Sequence, residues 1–324
     1  NLVDNTNLPE NVKIHLIPFY YFIPDGSNKS IGNKVFKKMV KWIDKEKINF
    51  DLIHAHFTWP TGYAGAHLKE ESGIPFVVTA HGYDLYSLPF KDRDWREKIE
   101  YMLNMADHII TVSQSNLACI KQLDVSAPVT VIPNGFRSDI FYLRDSSECR
   151  NILNLPQDKK IILTVGNLEP VKAHTLLIDA ITEISPERKD ILCVIVGAGR
   201  LRTMLKRKIR SLGLEDYIIL SGGKPHQEIP LWMNAADLFV LPSLNEGNPT
   251  VMFEALGCGL PFIGTRVGGV PEIITSEDYG LLVEPGNADD LAEKILIALE
   301  KEWDREKIRK YAEQFTWENI AKEI

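Results

Sequence analysis

Two carboxylates eight positions apart, Glu246 and Glu254, bracket a segment whose residue types suit a ligand carrying both phosphate and hydroxyl groups. The span reads Glu246-Gly-Asn-Pro-Thr-Val-Met-Phe-Glu254, after the apolar run Leu238–Leu241 and before Ala255-Leu-Gly-Cys-Gly-Leu-Pro261. The order is strand, tight turn, helix start. Asn248 and Pro249 suit an N-cap and a first helical residue. Unpaired N–H groups and the helix dipole would then favour an anion at 247–250. Thr250 and Glu254, four apart, share a helical face. A plainer reading also accounts for the pair: one acid near a helix N-terminus and one solvated helical glutamate. The glycines at 247, 257 and 259 and the Asn-Pro turn weigh against it.

Further segments could carry chemistry. Val165-Gly-Asn-Leu-Glu-Pro-Val-Lys172 follows a buried strand and leads into a helix beginning near Ala173. A cation at a helix N-terminus opposes the dipole unless an anion neutralises it. Lys172 therefore reads as a phosphate ligand, against the alternative of a solvent-facing lysine. Val196-Gly-Ala-Gly199 is a second glycine turn after a strand, suited to nucleotide approach or simply to a tight connection. His81, in Thr79-Ala-His-Gly-Tyr-Asp84, ends a strand of the first half and would bind a sugar hydroxyl or stabilise charge, or else pack. His54 and His56 fall on one side of an extended segment, but no third ligand of suitable spacing follows, so no metal is expected. Helix 33–47 opposes six lysines to Val35, Phe36, Met39, Val40, Trp42 and Ile43. It reads as an ordinary helix with a solvated face, or as a peripheral contact with an anionic membrane surface.

These residues need elements to hold them. Strands are predicted at Val12–Pro18, Leu52–Ala55, Phe76–Thr79, His108–Val112 and Val129–Ile132, with helices near 33–47, 61–72, 93–106 and 114–123. In the second half, strands near 161–165, 191–196, 217–220, 237–241, 261–264 and 280–283 alternate with helices near 173–184, 200–212, 227–235, 249–257, 270–274 and 288–300. The strands are nearly all apolar rather than alternating, which fits parallel sheets covered on both faces. The βα alternation predicts doubly wound α/β domains. Residues 144–151 are polar without strong periodicity, so the expected division is 1–140 and 141–324, with a ligand between the two and the last helix returning to the first domain.

The chain has 324 residues, 44% hydrophobic and 25% charged, with net charge −7. That length suits two domains of about 150 residues. The acidic balance argues against nucleic acid as a partner. Four scattered cysteines without a C-x-x-C pair suggest thiols in a reducing compartment. With no apolar run of spanning length and no signal peptide, the expected location is cytoplasmic, with the inner face of the membrane reached through helix 33–47. The first half is at least one βα unit short, and the chain is expected to be an N-terminally truncated piece.

The motifs in this order resemble family 4 of the retaining glycosyltransferases, whose GT-B fold has two facing Rossmann-like domains with a cleft between them. The landmarks are Asp51–His56, Thr79–Asp84, Ala106–Ser113, Pro133-Asn-Gly135, Val165–Lys172, Ile195–Gly199, the E-x7-E span Glu246–Glu254, and Gly264–Glu272. The resemblance implies transfer of a sugar from a nucleotide-diphosphate-sugar, a UDP- or GDP-sugar, to a hydroxyl acceptor on a glycan, a lipid or a lipid-linked carrier. It implies no bound cofactor and no metal. Lys172 would neutralise the leaving diphosphate, and Glu254 would accept from the ribose. Glu246 and the N–H groups of Gly247, Asn248, Pro249, Thr250 and Val251 (proline contributing none) would hold the donor sugar. His81 would support charge at the reacting carbon, and Gly197 and Gly199 would approach the nucleotide.

Two departures stand out. Asn167 replaces the family's arginine, with Arg266 and Lys224 as substitute cations, and Ala173 replaces its glycine. The family's glycine-rich loop would precede Asn1. A non-catalytic sugar-nucleotide-binding protein and a sugar-nucleotide epimerase are the alternatives.

Overall fold

Runs of consecutive apolar residues become the strands of two parallel sheets in the computed structural model, which describes residues 10–17 and 28–324. The first elements are α1 (Ile31–Glu46), β1 (Ile53–His56), α2 (Tyr63–Ser72), β2 (Phe76–Ala80), α3 (Tyr83–Tyr86), α4 (Arg93–Met105), β3 (His108–Thr111), α5 (Gln114–Ile120) and β4 (Val129–Val131). Their strands lie in the order β1-β2-β3-β4. Next come α6 (Ser146–Leu153), β5 (Lys160–Val165), α7 (His174–Ile184), β6 (Ile191–Val196), α8 (Arg202–Ser211), β7 (Ile218–Gly222), α9 (Ile229–Ala235) and β8 (Leu238–Leu241). The last are α10 (Thr250–Gly257), β9 (Phe262–Thr265), α11 (Val270–Ile273), β10 (Gly280–Val283), α12 (Ala288–Glu300), α13 (Arg305–Ala312) and α14 (Trp317–Ile320).

The chain divides into two compact units. The first holds the residues up to Ala80, Asp84–Ile110 and Ile120–Thr130; the second holds His81–Tyr83, Thr111–Cys119 and Val131–Ile324. In the first unit, β1 and β2 pair in parallel with Ile53 opposite Phe76. Phe76, Val78, Trp95, Ile99, Met102 and Leu103 form its buried centre. Asp92 caps α4 by accepting from the Trp95 N–H at 2.9 Å, which satisfies an otherwise orphan donor. On α1, Lys34, Lys37, Lys38, Lys41 and Lys45 are exposed while Val35, Phe36, Met39, Val40, Trp42 and Ile43 are half-buried. The rings of His54 and His56 stack at 4.7 Å on the side where their spacing places them.

The second unit is built on a six-stranded sheet ordered β10-β9-β8-β5-β6-β7. Every residue of β6 is buried, and Ile162, Leu177, Ile181, Cys193, Ile195 and Val240 belong to one continuous core. From β5 the chain builds outward to β6 and β7. It then crosses back to β8 and builds to β9 and β10 on the other side. The order therefore reverses between β5 and β8. In an open α/β sheet, ligands bind outside the carboxyl ends of the strands at such a reversal.

The expected and the observed elements differ at several places, among them α3 and α13, where no helix is expected, and the three that follow. Residues 12–17 are exposed and form no strand, because a strand exists only with a sheet partner; Pro18 lies outside the described residues. The polar stretch 144–151 contains helix α6, capped at one end by Asp145, which accepts from the Glu148 N–H at 2.8 Å, and closed by Asn154 in the left-handed region at φ 53°. Its buried side is formed by Cys149 and Arg150, so a count of apolar residues does not reveal it. Finally, α10 starts at Thr250 with Pro249 extended before it, one position later than expected.

Candidate functional site

At the strand reversal, the loops after β5 and β8 bring Lys172 and Glu246 together. Lys172 sits in the short turn Pro170–Lys172 that links β5 to α7. The two loops are stitched by the Leu244 N–H, which donates to the Val171 carbonyl at 2.8 Å. Ala173 then takes a left-handed conformation, φ 47° and ψ 39°, before α7 begins. That conformation costs an L-residue with a Cβ about 1–2 kcal/mol, which explains why glycine suits this position and shows that alanine is accommodated.

The Lys172 ammonium donates to Glu246 Oε1 at 2.6 Å, and the Ser243 hydroxyl donates to the same oxygen at 2.6 Å. Ser243 is itself held from behind by the Thr265 hydroxyl, which donates to its carbonyl. The side chains of Lys172 and Glu246 are only 23% and 10% exposed. Charges so far removed from water need each other or a substitute partner. An arriving anion can take over Lys172 and free a carboxylate oxygen for hydroxyl groups.

Gly247 brings the backbone beside Glu246 close to that of His81. A Cβ on Gly247 would stand 2.0 Å from the His81 carbonyl oxygen, so only glycine permits the two backbones to approach. Gly247 also accepts from the Gly269 N–H at 2.7 Å. Gly247→Ala should therefore lower stability by about 1–3 kcal/mol, as overpacking does, and displace Glu246 from His81. Urea unfolding checks this; an unchanged free energy of unfolding would show that the contact is not constraining.

Asn248 is largely a structural anchor. Its Oδ1 accepts from the Asn134 N–H at 2.9 Å, and its carbonyl accepts from the Asn134 amide at 2.6 Å. This reciprocal pair explains why Asn248 does not cap α10. Its own Nδ2 is buried with no protein partner. Thr250 is exposed at the first turn of α10, and Val251 is half-buried.

Beside this site, Gly197 donates its N–H to the Gly222 carbonyl at 3.0 Å. A Cβ at Gly197 would lie 1.9 Å from the Gly166 carbonyl oxygen, so the turns after β5, β6 and β7 stack closely. Gly199 lies against the Leu168 backbone. Asn167 is exposed. Of the cations considered in place of the missing arginine, Arg266 is paired with Glu284 at 3.1 Å, and the Lys224 ammonium lies 5.3 Å from the Trp232 ring centre.

Glu254, one turn further along α10, is also mostly buried. Its Oε1 lies 2.8 Å from His226 Nε2. The carboxylate's hydrogen bond raises the imidazole above its ordinary protonation range, against a smaller effect of burial. Ser243 and His226 are not singled out by the sequence, and Asn134 enters only within the Pro133-Asn-Gly135 landmark. Ser243 is betrayed only by being a hydroxyl three positions before Glu246. Asn134 belongs to an Asn-Gly turn, and His226 to a Gly-Gly-Lys-Pro-His loop without a distinctive pattern.

His174 opens α7 just behind Lys172 and is 1% exposed, with Nδ1 lacking a partner. Burial, and next the Lys172 charge, push its imidazole down to about 4. The unfolded chain takes up this proton near its ordinary value of 6.5, and the folded one does not. His174 therefore leaves stability unchanged above pH 6.5 and withdraws it as pH falls from there to about 4, by about 3 kcal/mol in all. Denaturant unfolding at pH 7 and pH 4.5 should show a shallower loss for His174→Leu than for the wild type; parallel losses would rule this out.

Among the described residues, no helix is long and apolar enough to cross a membrane, and no group of three or more His, Cys, Asp or Glu side chains is arranged to hold a metal ion. Comparison with known proteins converges on one family. The profile described as glycosyl transferases group 1 matches residues 145–315, and that of glycosyltransferase family 4 matches residues 4–139. The putative teichuronic acid biosynthesis glycosyltransferase TuaC of Bacillus subtilis is 32% identical over 86% of this chain and 69% of its own length. An uncharacterized glycosyltransferase of Methanocaldococcus jannaschii is 32% identical over 96% of this chain and 83% of its own. Among solved structures, sucrose-phosphate synthase from Thermosynechococcus elongatus is similar with a TM-score of 0.80 at 25% identity, over 93% of this chain and 78% of that one. Anabaena HepE in complex with UDP-glucose gives 0.77 at 25% identity, over 91% and 82%.

Proposed function

The chain belongs to the glycosyl transferases of group 1, and from that premise we propose that it moves a sugar from a nucleoside-diphosphate donor to a hydroxyl acceptor with retention at the anomeric carbon. Its two parallel-sheet α/β units are the Rossmann-like domains of the GT-B fold. The observation that carries the proposal is the Lys172–Glu246 pair at the strand reversal, beside the first turn of α10.

In this reading the donor diphosphate displaces Glu246 from Lys172. Lys172 and the N–H groups at the start of α10 then neutralise charge as the glycosidic bond to phosphate breaks. Glu246, still held by Ser243, turns to the donor sugar hydroxyls. His81, placed by the close approach of Gly247, supports the developing positive charge at the reacting carbon. The leaving phosphate assists deprotonation of the acceptor on the same face, which gives retention. Glu254 accepts from the ribose, and the Gly197–Gly199 turn admits the nucleotide. HepE, solved with UDP-glucose, supports a UDP-sugar as the first donor to test, with GDP-sugars beside it. The exposed lysines of α1 support peripheral contact with an anionic surface, where a lipid-linked acceptor would be met.

The test is product analysis with a radiolabelled nucleotide-sugar panel and candidate acceptors. A new glycoside with free nucleoside diphosphate supports transfer. An isomerised sugar nucleotide would indicate an epimerase, and binding without turnover a binding protein.

A further inference from the structure

We propose that His226 is a positioning residue for ribose recognition: it holds one oxygen of Glu254 so that the other is left, oriented, for the ribose hydroxyls. This rests on the reading of Glu254 as the ribose acceptor. Glu254 is a buried carboxylate on α10, its side chain only 10% exposed, whereas the His226 side chain is 56% exposed. The imidazole thus stands between the carboxylate and solvent, with Nε2 at 2.8 Å from Oε1.

His226 is held in place from several directions. It follows Pro225 on the loop leaving β7, whose Gly222 carbonyl accepts from Gly197 in the nucleotide-side turn. Its ring packs against Phe141 with centroids 5.1 Å apart. The charged groups near it are Glu254 on α10, Arg137 after β4, which is engaged with Asp139 at 3.0 Å, and Lys224 and Glu228 on its own segment.

A glutamate's terminal torsion is broad, so a carboxylate without a partner samples many orientations. Nε2–H donates to Oε1 in either the protonated imidazole or the Nε2–H tautomer, and the bond fixes that torsion before the ligand arrives. A fixed acceptor spares the ordering cost of binding. The ribose then meets Oε2 already placed, and the discrimination between ribose and a sugar lacking its hydroxyls depends on His226 although His226 need not touch the ribose.

The experiment measures affinities of the full chain for UDP and 2′,3′-dideoxy-UDP by calorimetry, with GDP and 2′,3′-dideoxy-GDP in parallel. The ratio of the two affinities is the readout, because general damage to the fold lowers both alike. His226→Ala should lower ribonucleotide affinity about tenfold, the worth of one charge-assisted hydrogen bond, and change the dideoxy affinity less than about twofold. His226→Gln, which keeps a donor to Glu254, should restore most of the ratio. Equal losses for both ligands in His226→Ala, or no rescue by glutamine, overturn the role of His226. If Glu254→Gln collapses the ratio while His226→Ala does not, the ribose reading stands and the positioning role falls. If the wild type does not discriminate, or binds neither ribonucleotide, the ribose reading falls and the role of His226 with it.

Discussion

Lys172→Met is expected to lower sugar transfer by about three orders of magnitude, the scale seen when a preorganised charge partner of a reaction is removed. Methionine keeps the stem and its packing but leaves no cation for the diphosphate. The effect should appear in nucleoside-diphosphate affinity as well as in turnover, because in the proposed reading Lys172 meets charge already present in the donor and charge that grows as the bond breaks. Lys172→Arg should recover part of the loss. Glu246→Gln, which keeps the shape and the Ser243 contact, should reduce turnover more than nucleotide affinity if, as proposed, Glu246 serves the sugar and not the phosphates. Initial rates with labelled donor, together with nucleotide titrations, separate these effects. Turnover within about tenfold of wild type in both Lys172→Met and Glu246→Gln would show that the pair is structural. Removing Lys172 also leaves the mostly buried Glu246 with Ser243 as its remaining donor, so a modest drop in melting temperature accompanies the kinetic loss.

The largest loss of stability is expected for Arg150→Ala. Arg150 is 7% exposed. Its guanidinium donates to the Ala235 carbonyl at 2.9 Å, to the carbonyls of Gln157 and Lys159 at 3.2 and 3.1 Å, and to Asp237 Oδ2 at 2.7 Å. Asp237 Oδ2 also accepts from the Ile161 N–H at 2.6 Å. One side chain thus joins α6 to the segment before β5 and to the start of β8. Alanine would leave several carbonyls and a carboxylate short of donors, at about 3–5 kcal/mol, or roughly a 10 °C fall in melting temperature for a domain of this size. Lysine, a point charge without the planar fork, should restore little. Chemical unfolding measures it; a loss below about 1 kcal/mol would show that water replaces the guanidinium without cost.

Arg150 also shows where sequence reading stops. The strands of the second sheet were legible because buried parallel strands are written as unbroken apolar runs: 191–196 and 280–283 coincide with β6 and β10. Helix α6 was not, because the residue that ties it to the sheet is polar, and two of its partners, the Ala235 carbonyl and the Asp237 carboxylate, lie more than 80 positions away. Asn248 shows the opposite error. Its type and place before Pro249 suit an N-cap, but the Asn134 N–H occupies its side-chain oxygen and the Asn134 amide its carbonyl. Local preference lost to a contact 114 positions away.

By itself the sequence determined which residues could do chemistry: Lys172 after one apolar run, Glu246 and Glu254 around a turn after another, and His81 at the end of a third. It also determined the class of fold, since period, composition and βα alternation are local and need no knowledge of neighbours. Only the tertiary structure decided that β5 and β8 lie side by side where strand order reverses, and so that Lys172 and Glu246, 74 positions apart, meet at 2.6 Å. It alone decided that Gly247 is glycine to admit the His81 backbone, and that His226 covers Glu254. Strand order and side-chain pairing come from the packing of whole elements on one another, and no residue carries that information in its immediate neighbours.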